Sequence, residues 1–332
     1  EVLYSRKKQE ALAMSQQLTI LGISAAATAV FQLSGFFAAY VLGTEVFYDI
    51  FGGLNFLLLG VFSAYAGGSP DDHPWGSDVR KMACTAAFSL SRAWLLCFLA
   101  WRAHERGGDS RFDNVKDRFG LFLIYWSVQA VWVFAISMPL VFVNSSEVWR
   151  PEFTVLDWIG LVGFFAGVIL EIVADVQKTI WVKRGRTGGF MRSGVWALSR
   201  HPNYFGEMLQ WWCAWLYAYG SGSGIGDVQW WIAILSPLFT MQVLLNTGGT
   251  GVPNCNGKSL SRYYDKYPEE YTAYRKNTSI LVPMVGYGCV PMFLKRTIFL
   301  DFEKWEYRPP SEYNKADSNS DAATPPDDSV TP

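Results

Sequence analysis

The sequence predicts an all-α, polytopic membrane protein, and three observations lead to this fold class. Half of the 332 residues are hydrophobic, and only 17% are charged. Aromatic residues make up 16% of the chain, which is typical of membrane helices with aromatic belts at their ends. Apolar stretches of about 20 residues, the length needed to cross a bilayer, recur along the chain.

Seven stretches are predicted to span the membrane: 18–42, 46–66, 82–101, 119–143, 155–174, 204–220 and 228–246. Lys and Arg concentrate after the third, fifth and seventh stretches, so the positive-inside rule places these segments in the cytosol or its organellar equivalent. The same alternation puts the C-terminus on the cytosolic side and the N-terminus outside, although Arg6, Lys7 and Lys8 conflict with an outside N-terminus. We expect a multi-pass protein of the endoplasmic reticulum or of an organellar inner membrane.

Composition divides the chain into four segments. A short N-terminal segment, 1–17, precedes the first group of membrane helices, 18–150, to which we assign substrate binding. A second membrane domain, 151–307, contains the polar segment 199–207, which we call the cassette. A tail rich in Pro, Ser and Asp follows at 308–332. We expect this tail to be disordered alone, and it is compatible with membership of a larger membrane assembly.

The net charge and the few histidines exclude two classes of function. A formal net charge of -1 leaves no excess of cations for nucleic-acid phosphates, so no nucleic-acid partner is expected. The three histidines do not pair at helical ligand spacing, and no two cysteines form a C-x-x-C pair. We therefore expect no metal site.

Charged residues inside the predicted spans need a partner, water or a function, because a charge in hydrocarbon costs about 2.5–3.5 kcal/mol on insertion scales. Glu171 and Asp175 lie four residues apart and therefore on one helix face. This face is a candidate ligand site, and neutralisation by Lys178 at the interface is the alternative. Arg92, with Asp49 as its counter-ion, is interpreted as structural pairing.

The most distinctive polar stretch is S-R-H-P-N-Y-F-G-E, residues 199–207. Pro202 disfavours helix at His201, and Asn203 or Ser199 can cap the helix that follows. The amides at that helix N-terminus, with Arg186 and Arg200 nearby in sequence, favour an anionic ligand. An ordinary basic loop at the membrane interface remains the alternative.

A second segment, 261–276, repeats tyrosines at helical spacing. Tyr264, Tyr267, Tyr271 and Tyr274 would share one face of a short interfacial helix, where they could stack on a planar ring. A plain amphipathic helix on the bilayer is the equally natural alternative.

Three segments resemble the steroid 5-alpha-reductase C-terminal superfamily, especially a broadly distributed membrane branch. In chain order they are E-I-V-A-D-V-Q-K, S-G-V-W-A-L-S-R-H-P-N-Y-F-G-E and Y-P-E-E-Y-T-A-Y-R-K-N-T-S-I-L-V-P. The likeness is close over residues 171–283. It implies NADPH bound at the cytosolic side by Glu171, Asp175, Arg186, Asn203, Tyr204, Glu207, Tyr264 and Arg275, to which we add Arg200, His201 and Tyr267 from the same segments. The more distantly similar isoprenylcysteine carboxyl methyltransferases hold S-adenosylmethionine in the corresponding region.

The sequence departs from this superfamily where the reductases carry a glutamate in the second span and a tyrosine in the third. The third predicted span contains no Tyr, and the second offers Tyr48, Asp49 and Tyr65 instead of a Glu. We name Tyr48 as proton donor with Asp49 or Tyr65 as its orienter, and roles in the core or interface are the alternative for each.

Three functions follow from these patterns. The first is an NADPH-dependent reductase of a carbon–carbon double bond in a lipid, sterol or isoprenoid, surrounded by membrane lipids. The second is a methyltransferase that uses S-adenosylmethionine. The third is a non-catalytic subunit of a larger membrane complex.

Overall fold

The computed structural model describes residues 2–68, 78–106, 112–147, 152–247, 251–252 and 260–302. Within these ranges the regular secondary structure is helical, apart from one isolated parallel bridge between Ser199 and Ser279. The all-α prediction is therefore confirmed. The predicted polar tail, 308–332, lies outside the described residues.

The described ranges contain eleven α-helices, numbered in chain order. They are α1 Val2–Val41, α2 Phe47–Ala66, α3 Val79–Arg106, α4 Phe119–Ser145, α5 Val155–Lys183, α6 Pro202–Ala218, α7 Val228–Ala233, α8 Leu235–Asn246, α9 Ser261–Lys266, α10 Pro268–Asn277 and α11 Met292–Thr297.

Six segments of the described chain are helical, long and apolar enough to cross a membrane: Ala11–Val41, Phe47–Ala66, Val79–Glu105, Phe119–Ser145, Val155–Lys183 and Val228–Asn246. They correspond to six of the seven predicted spans, and the protein is a multi-pass membrane protein. The remaining prediction, 204–220, falls on α6. This helix has 17 residues, which at 1.5 Å per residue is about 26 Å, shorter than a hydrocarbon core of about 30 Å.

The chain forms two units, of which the first comprises residues 1–170 and 206–241. In this unit α1 packs against α2 and α4, α2 packs against α3 and α4, and α4 also contacts α7. An aromatic core of Phe36, Phe112, Phe122 and Trp126 lies between these helices. Aromatic rings offer large apolar area and edge-to-face contacts, which hold helices together where lipid provides no hydrophobic drive.

Polar side chains tie the first unit together inside the membrane. Asn144 donates hydrogen bonds to Ser63 Oγ at 2.9 Å and to Thr85 Oγ1 at 3.0 Å. These bonds join α4 to α2 and α3. Interhelical hydrogen bonds of this kind stabilise membrane bundles because the alternative is an unsatisfied polar group in hydrocarbon.

A buried ion pair joins the first turns of α3 and α5. Arg80 Nη2 lies 2.7 Å from Asp157 Oδ2, and Arg80 Nε donates to Asp157 Oδ1 at 3.1 Å. The Glu152 carbonyl accepts a further bond from Arg80 at 2.9 Å. Because several donors of this guanidinium meet oxygen acceptors, Arg80 is a structural clamp.

The second unit comprises residues 171–205 and 242–332. Here the segment before α6 pairs with the segment after α10: Arg200 N donates to Ser279 O at 2.8 Å, and Ser199 Oγ donates to Leu281 O at 2.7 Å. Leu198 O also accepts from Met284 N at 3.1 Å. This pairing fixes the backbone of the cassette.

The tyrosine-rich segment 261–276 was predicted as one helix, but it forms two. The helix is interrupted at Tyr267, whose φ of -140° and ψ of 54° are not helical, and a new helix starts with Pro268 at its first position. The break has a steric cause, because proline disfavours the α region for the residue before it. The tyrosines of α9 and α10 pack together around buried Phe190.

Candidate functional site

A cavity lies within the first unit between α2, α3 and α4. It encloses about 350 Å³ of space, part of it open to the surroundings, and is lined by Tyr48, Asp49, Gly52, Gly53, Phe56, Arg92, Leu95, Leu96, Leu99, Gln129 and Trp132. Gly52 makes room for Gln129, since a Cβ at Gly52 would lie 2.3 Å from Gln129 Nε2. This membrane-embedded space therefore combines an apolar wall with a few polar groups, as ligand pockets do.

Arg92 is the most unusual residue of the cavity, because its guanidinium is almost completely buried in a membrane helix. Its Nη2 donates to Ser91 Oγ at 2.9 Å and to Gln210 Oε1 at 3.1 Å. Ser91 Oγ in turn donates to Gln210 Oε1 at 2.9 Å. These bonds fix the orientation of one side of the guanidinium.

The other side of the Arg92 guanidinium is less satisfied. Arg92 Nε and Nη1 have no hydrogen-bond partner in the described structure, although Nη1 forms a long ion pair of 3.8 Å with Glu207 Oε1. The ring of Trp211 lies 4.7 Å from the guanidinium carbon, and that of Phe56 lies 5.7 Å away. Aromatic faces stabilise the cation without using its N–H donors. An oxygen acceptor in the cavity could use those donors.

Two of the three predicted catalytic residues line this cavity. Tyr48 and Asp49 both contribute to its wall. The Tyr48 hydroxyl donates to Tyr125 O at 3.1 Å, and Gln129 Nε2 donates to Tyr48 O at 2.7 Å. The proton of the Tyr48 hydroxyl is thus engaged by backbone, which weakens the case for Tyr48 as proton donor.

Tyr65, the third predicted catalytic residue, lies elsewhere. It is 72% exposed near the end of α2. The 17-residue separation from Tyr48 corresponds to about 25 Å along a helix. The structure does not bring Tyr65 to the cavity that Tyr48 and Asp49 line.

In the second unit, α5 and the first turn of α6 bring predicted cofactor residues together. Asn203 Nδ2 donates to Asp175 Oδ1 at 3.2 Å, and Glu171 is buried one helical turn before Asp175. The rings of His201 and Tyr204 stack in parallel, with centroids 5.3 Å apart and planes at 6°. This small group offers donors, acceptors and a flat aromatic surface.

His201 is buried and uncharged. Burial lowers its pKa to about 3, and the nearby charges of Arg200 and Lys178 lower it further. The imidazole therefore stays neutral at ordinary pH, so it contributes a hydrogen-bonding ring and no positive charge.

Arg200 has a structural partner. Its Nη2 lies 2.7 Å from Asp301 Oδ1, and the Tyr287 hydroxyl donates to Asp301 Oδ2 at 2.8 Å. Asp301 thus receives two contacts and links the cassette to the segment after α10. Arg200 Nε has no hydrogen-bond partner in the described structure.

The remaining predicted cofactor residues fall into different environments. Arg275 Nη1 donates to the Tyr264 hydroxyl, and the guanidinium carbon of Arg275 lies 5.9 Å from the centroid of the Tyr264 ring. Tyr267 packs against Phe190, with ring centroids 6.3 Å apart. Arg186 is exposed in a left-handed conformation, with φ of 57°. Glu207 belongs to the first unit, where it approaches Arg92.

Sequence reasoning underestimated Arg92 and did not single out Gln129 or Gln210. The available signal was the arginine itself, because an ionisable residue inside a span is by default a functional hypothesis. Its partner Gln210 lies 118 positions away in sequence. No spacing rule could have connected these two residues.

A family model matches most of the chain. The family model described as "Protein of unknown function (DUF1295)" matches residues 35–278. This range includes the α2–α4 cavity and the 199–207 cassette. Comparison with curated proteins and with solved structures gave no match.

Proposed function

Because the chain belongs to the DUF1295 family, the steroid 5-alpha-reductase-like group, we propose that it is a membrane-embedded NADPH-dependent reductase. Its substrate would be a lipid, sterol or isoprenoid in which the reduced carbon–carbon double bond is conjugated to a carbonyl. We further propose that it acts in the endoplasmic reticulum or an organellar inner membrane.

The observation that carries this proposal is the Arg92 guanidinium in the α2–α4 cavity. Two of its nitrogens, Nε and Nη1, have no hydrogen-bond partner among the described residues. Hydride addition to an enone moves negative charge onto the carbonyl oxygen, and preoriented donors in a dry site stabilise such charge strongly. Ser91 and Gln210 hold the guanidinium from its other side, so its orientation is fixed before substrate arrives.

Asp49 is the proton carrier that we propose in this cavity. Reduction adds a hydride and one proton across the double bond, so an acid is needed beside the donor that polarises the carbonyl. Asp49 lines the same space as Arg92, whereas the Tyr48 hydroxyl donates to the Tyr125 carbonyl. Tyr48 then serves as a wall of the site that is fixed by its backbone partner.

The second unit contains side chains of the chemical types that a dinucleotide needs. The Asn203–Asp175 pair offers a donor and an acceptor for a carboxamide or ribose, and Tyr204 with His201 offers a stacking surface. Arg275 contributes a guanidinium beside Tyr264, and guanidinium groups bind phosphate oxygens through charged hydrogen bonds. When bound, NADPH supplies the hydride.

The test is turnover by the purified protein in lipid nanodiscs. We expect NADPH oxidation with conjugated enone lipids, no oxidation with the corresponding isolated alkenes, and saturated product by mass spectrometry. Asn203→Leu should raise KM for NADPH by tenfold or more, about 1.4 kcal/mol. Asn246→Leu, at an exposed asparagine of α8, is the matched control and should leave KM unchanged.

Two outcomes would replace the proposal. Binding of S-adenosylmethionine without binding of NADPH would indicate a methyltransferase. Absence of binding by either cofactor, together with stoichiometric co-purifying proteins, would indicate a non-catalytic subunit of a larger membrane assembly.

A further inference from the structure

A second cavity in the first unit is almost entirely apolar. It comprises about 340 Å³ of space between α3, α4, α5 and α6, part of it open to the surroundings, and is lined by Cys84, Ala87, Phe88, Pro139, Leu140, Gly160, Leu161, Phe164, Trp211, Ala214 and Tyr217. At Gly160 a Cβ would lie 2.9 Å from Tyr217 Cβ, so glycine permits this close approach of α5 and α6. The chemistry of the wall suits hydrocarbon.

The two cavities lie in succession along one face of α3. Cys84, Ala87 and Phe88 line the apolar cavity, and the next positions on this face, from Arg92 to Leu99, line the cavity described above. From residue 84 to residue 99 the helix rises about 22 Å. This length is sufficient for an extended chain with a polar end.

Aromatic side chains separate the two spaces. Phe88 contacts Trp211, with ring centroids 5.7 Å apart, and it contacts Phe56, with centroids 5.9 Å apart. Arg92 lies over the face of Trp211 at 4.7 Å. The partition therefore places the guanidinium directly beside the wall of the apolar cavity.

We infer that this face of α3 binds a flexible single-chain amphiphile, with its carbonyl oxygen at Arg92 and its hydrocarbon chain in the apolar cavity. The inference rests on the proposed function and narrows its substrate class. A flexible chain is narrower than a rigid fused-ring skeleton and needs a smaller opening between Phe56, Phe88 and Trp211, so linear enones are preferred over sterol enones.

Two neighbouring alanines of α3 provide a matched test. Ala87 is buried and lines the apolar cavity, whereas Ala86 is exposed. Ala87→Phe should raise KM for a long-chain linear enone by tenfold or more, and should raise it much more than KM for a short-chain enone. Ala86→Phe should change neither.

Photolabelling tests the site without turnover. A long-chain linear enone that carries a diazirine at the end of its chain should label peptides containing Cys84–Phe88 or Gly160–Phe164 in the wild type. This labelling should disappear in Ala87→Phe and persist in Ala86→Phe.

The outcomes separate the two proposals. Three results would each overturn the inference and leave the reductase proposal standing, provided that the protein turns over enones. They are turnover that does not depend on chain length, equal labelling of the two variants, and labelling of lipid-facing residues alone. Labelling of the cavity without NADPH oxidation keeps the chain-binding site and overturns the reductase. A preference for sterol enones overturns the inference in either case.

Discussion

Arg80 and Arg92 are both almost completely buried on the same helix, yet their surroundings differ. Arg80 makes two contacts with Asp157 and a third with the Glu152 carbonyl. Arg92 hydrogen-bonds through Nη2 to Ser91 and Gln210, while Nε and Nη1 have no hydrogen-bond partner in the described structure. The two arginines are therefore alike in burial and differ in how many of their donors have partners.

The largest effect is expected from Arg80→Met. The substitution leaves the Asp157 carboxylate buried without its cation, which typically costs about 3–5 kcal/mol. The free energy of unfolding in detergent measures this loss. Pairing the change with Asp157→Leu should recover much of the stability, because no uncompensated charge then remains. If Arg80→Met alone were as stable as the wild type, Arg80 would not have the structural role that distinguishes it from Arg92.

Arg92→Lys should affect the reaction more than the fold. Lysine keeps a positive charge near Glu207 but loses the planar fork that the cavity exposes. We expect kcat with an enone substrate to fall about 100-fold, in the range measured when one donor to a developing oxyanion is removed. The free energy of unfolding should change much less than in Arg80→Met.

Controls for the Arg92 substitution are available in the same unit. Arg80→Lys should lower stability while leaving kcat per folded molecule unchanged. Tyr65→Phe should leave both quantities unchanged, because Tyr65 is 72% exposed and lies outside the cavity. Equal kcat in Arg92→Lys and in the wild type would assign Arg92 to structure.

A smaller effect is expected at His201, which is buried as the neutral base. Its pKa falls from 6.5 to about 3 on folding. Below pH 6.5 the unfolded chain binds a proton that the folded chain does not, so stability decreases as pH falls toward 3. The slope contributed by this group is at most about 1.4 kcal/mol per pH unit.

His201→Gln should remove this contribution. Unfolding of the variant and the wild type, followed in detergent at a series of acidic pH values, measures the difference in slope. Parallel pH dependences would show that the imidazole is accessible to protons in the folded state.

The sequence could predict the membrane helices, because apolar runs of the required length carry their own signal. It suggested Asp49 as the counter-ion of Arg92, but it did not single out Gln129, and it could not show the cavity that these three residues line. That arrangement depends on tertiary packing of three helices. Tyr65 illustrates the same limit, since its residue type fitted the chemistry while its position on α2 places it outside the cavity.

The cassette shows how local and long-range information differ. Pro202 correctly predicted a helix start, since α6 begins at Pro202. Asn203 is the second residue of this helix and not its cap, and its side chain donates to Asp175. The partner of Arg200 is Asp301, 101 positions later, and this pairing has no signature in the sequence. Conversely, Pro268 is a sequence signal for the helix break at Tyr267, but the helical spacing of the tyrosines led to the prediction of a single helix.

The bonds that hold residues 198–200 to residues 279–284 and to Asp301 also set an order of events during synthesis. The cassette leaves the ribosome about a hundred residues before its last partner, a delay of about 5–20 s at usual translation rates. During that interval the Arg200 side chain lacks its carboxylate. The cassette can therefore reach its native contacts only after the six apolar helices that could cross the membrane have been synthesised.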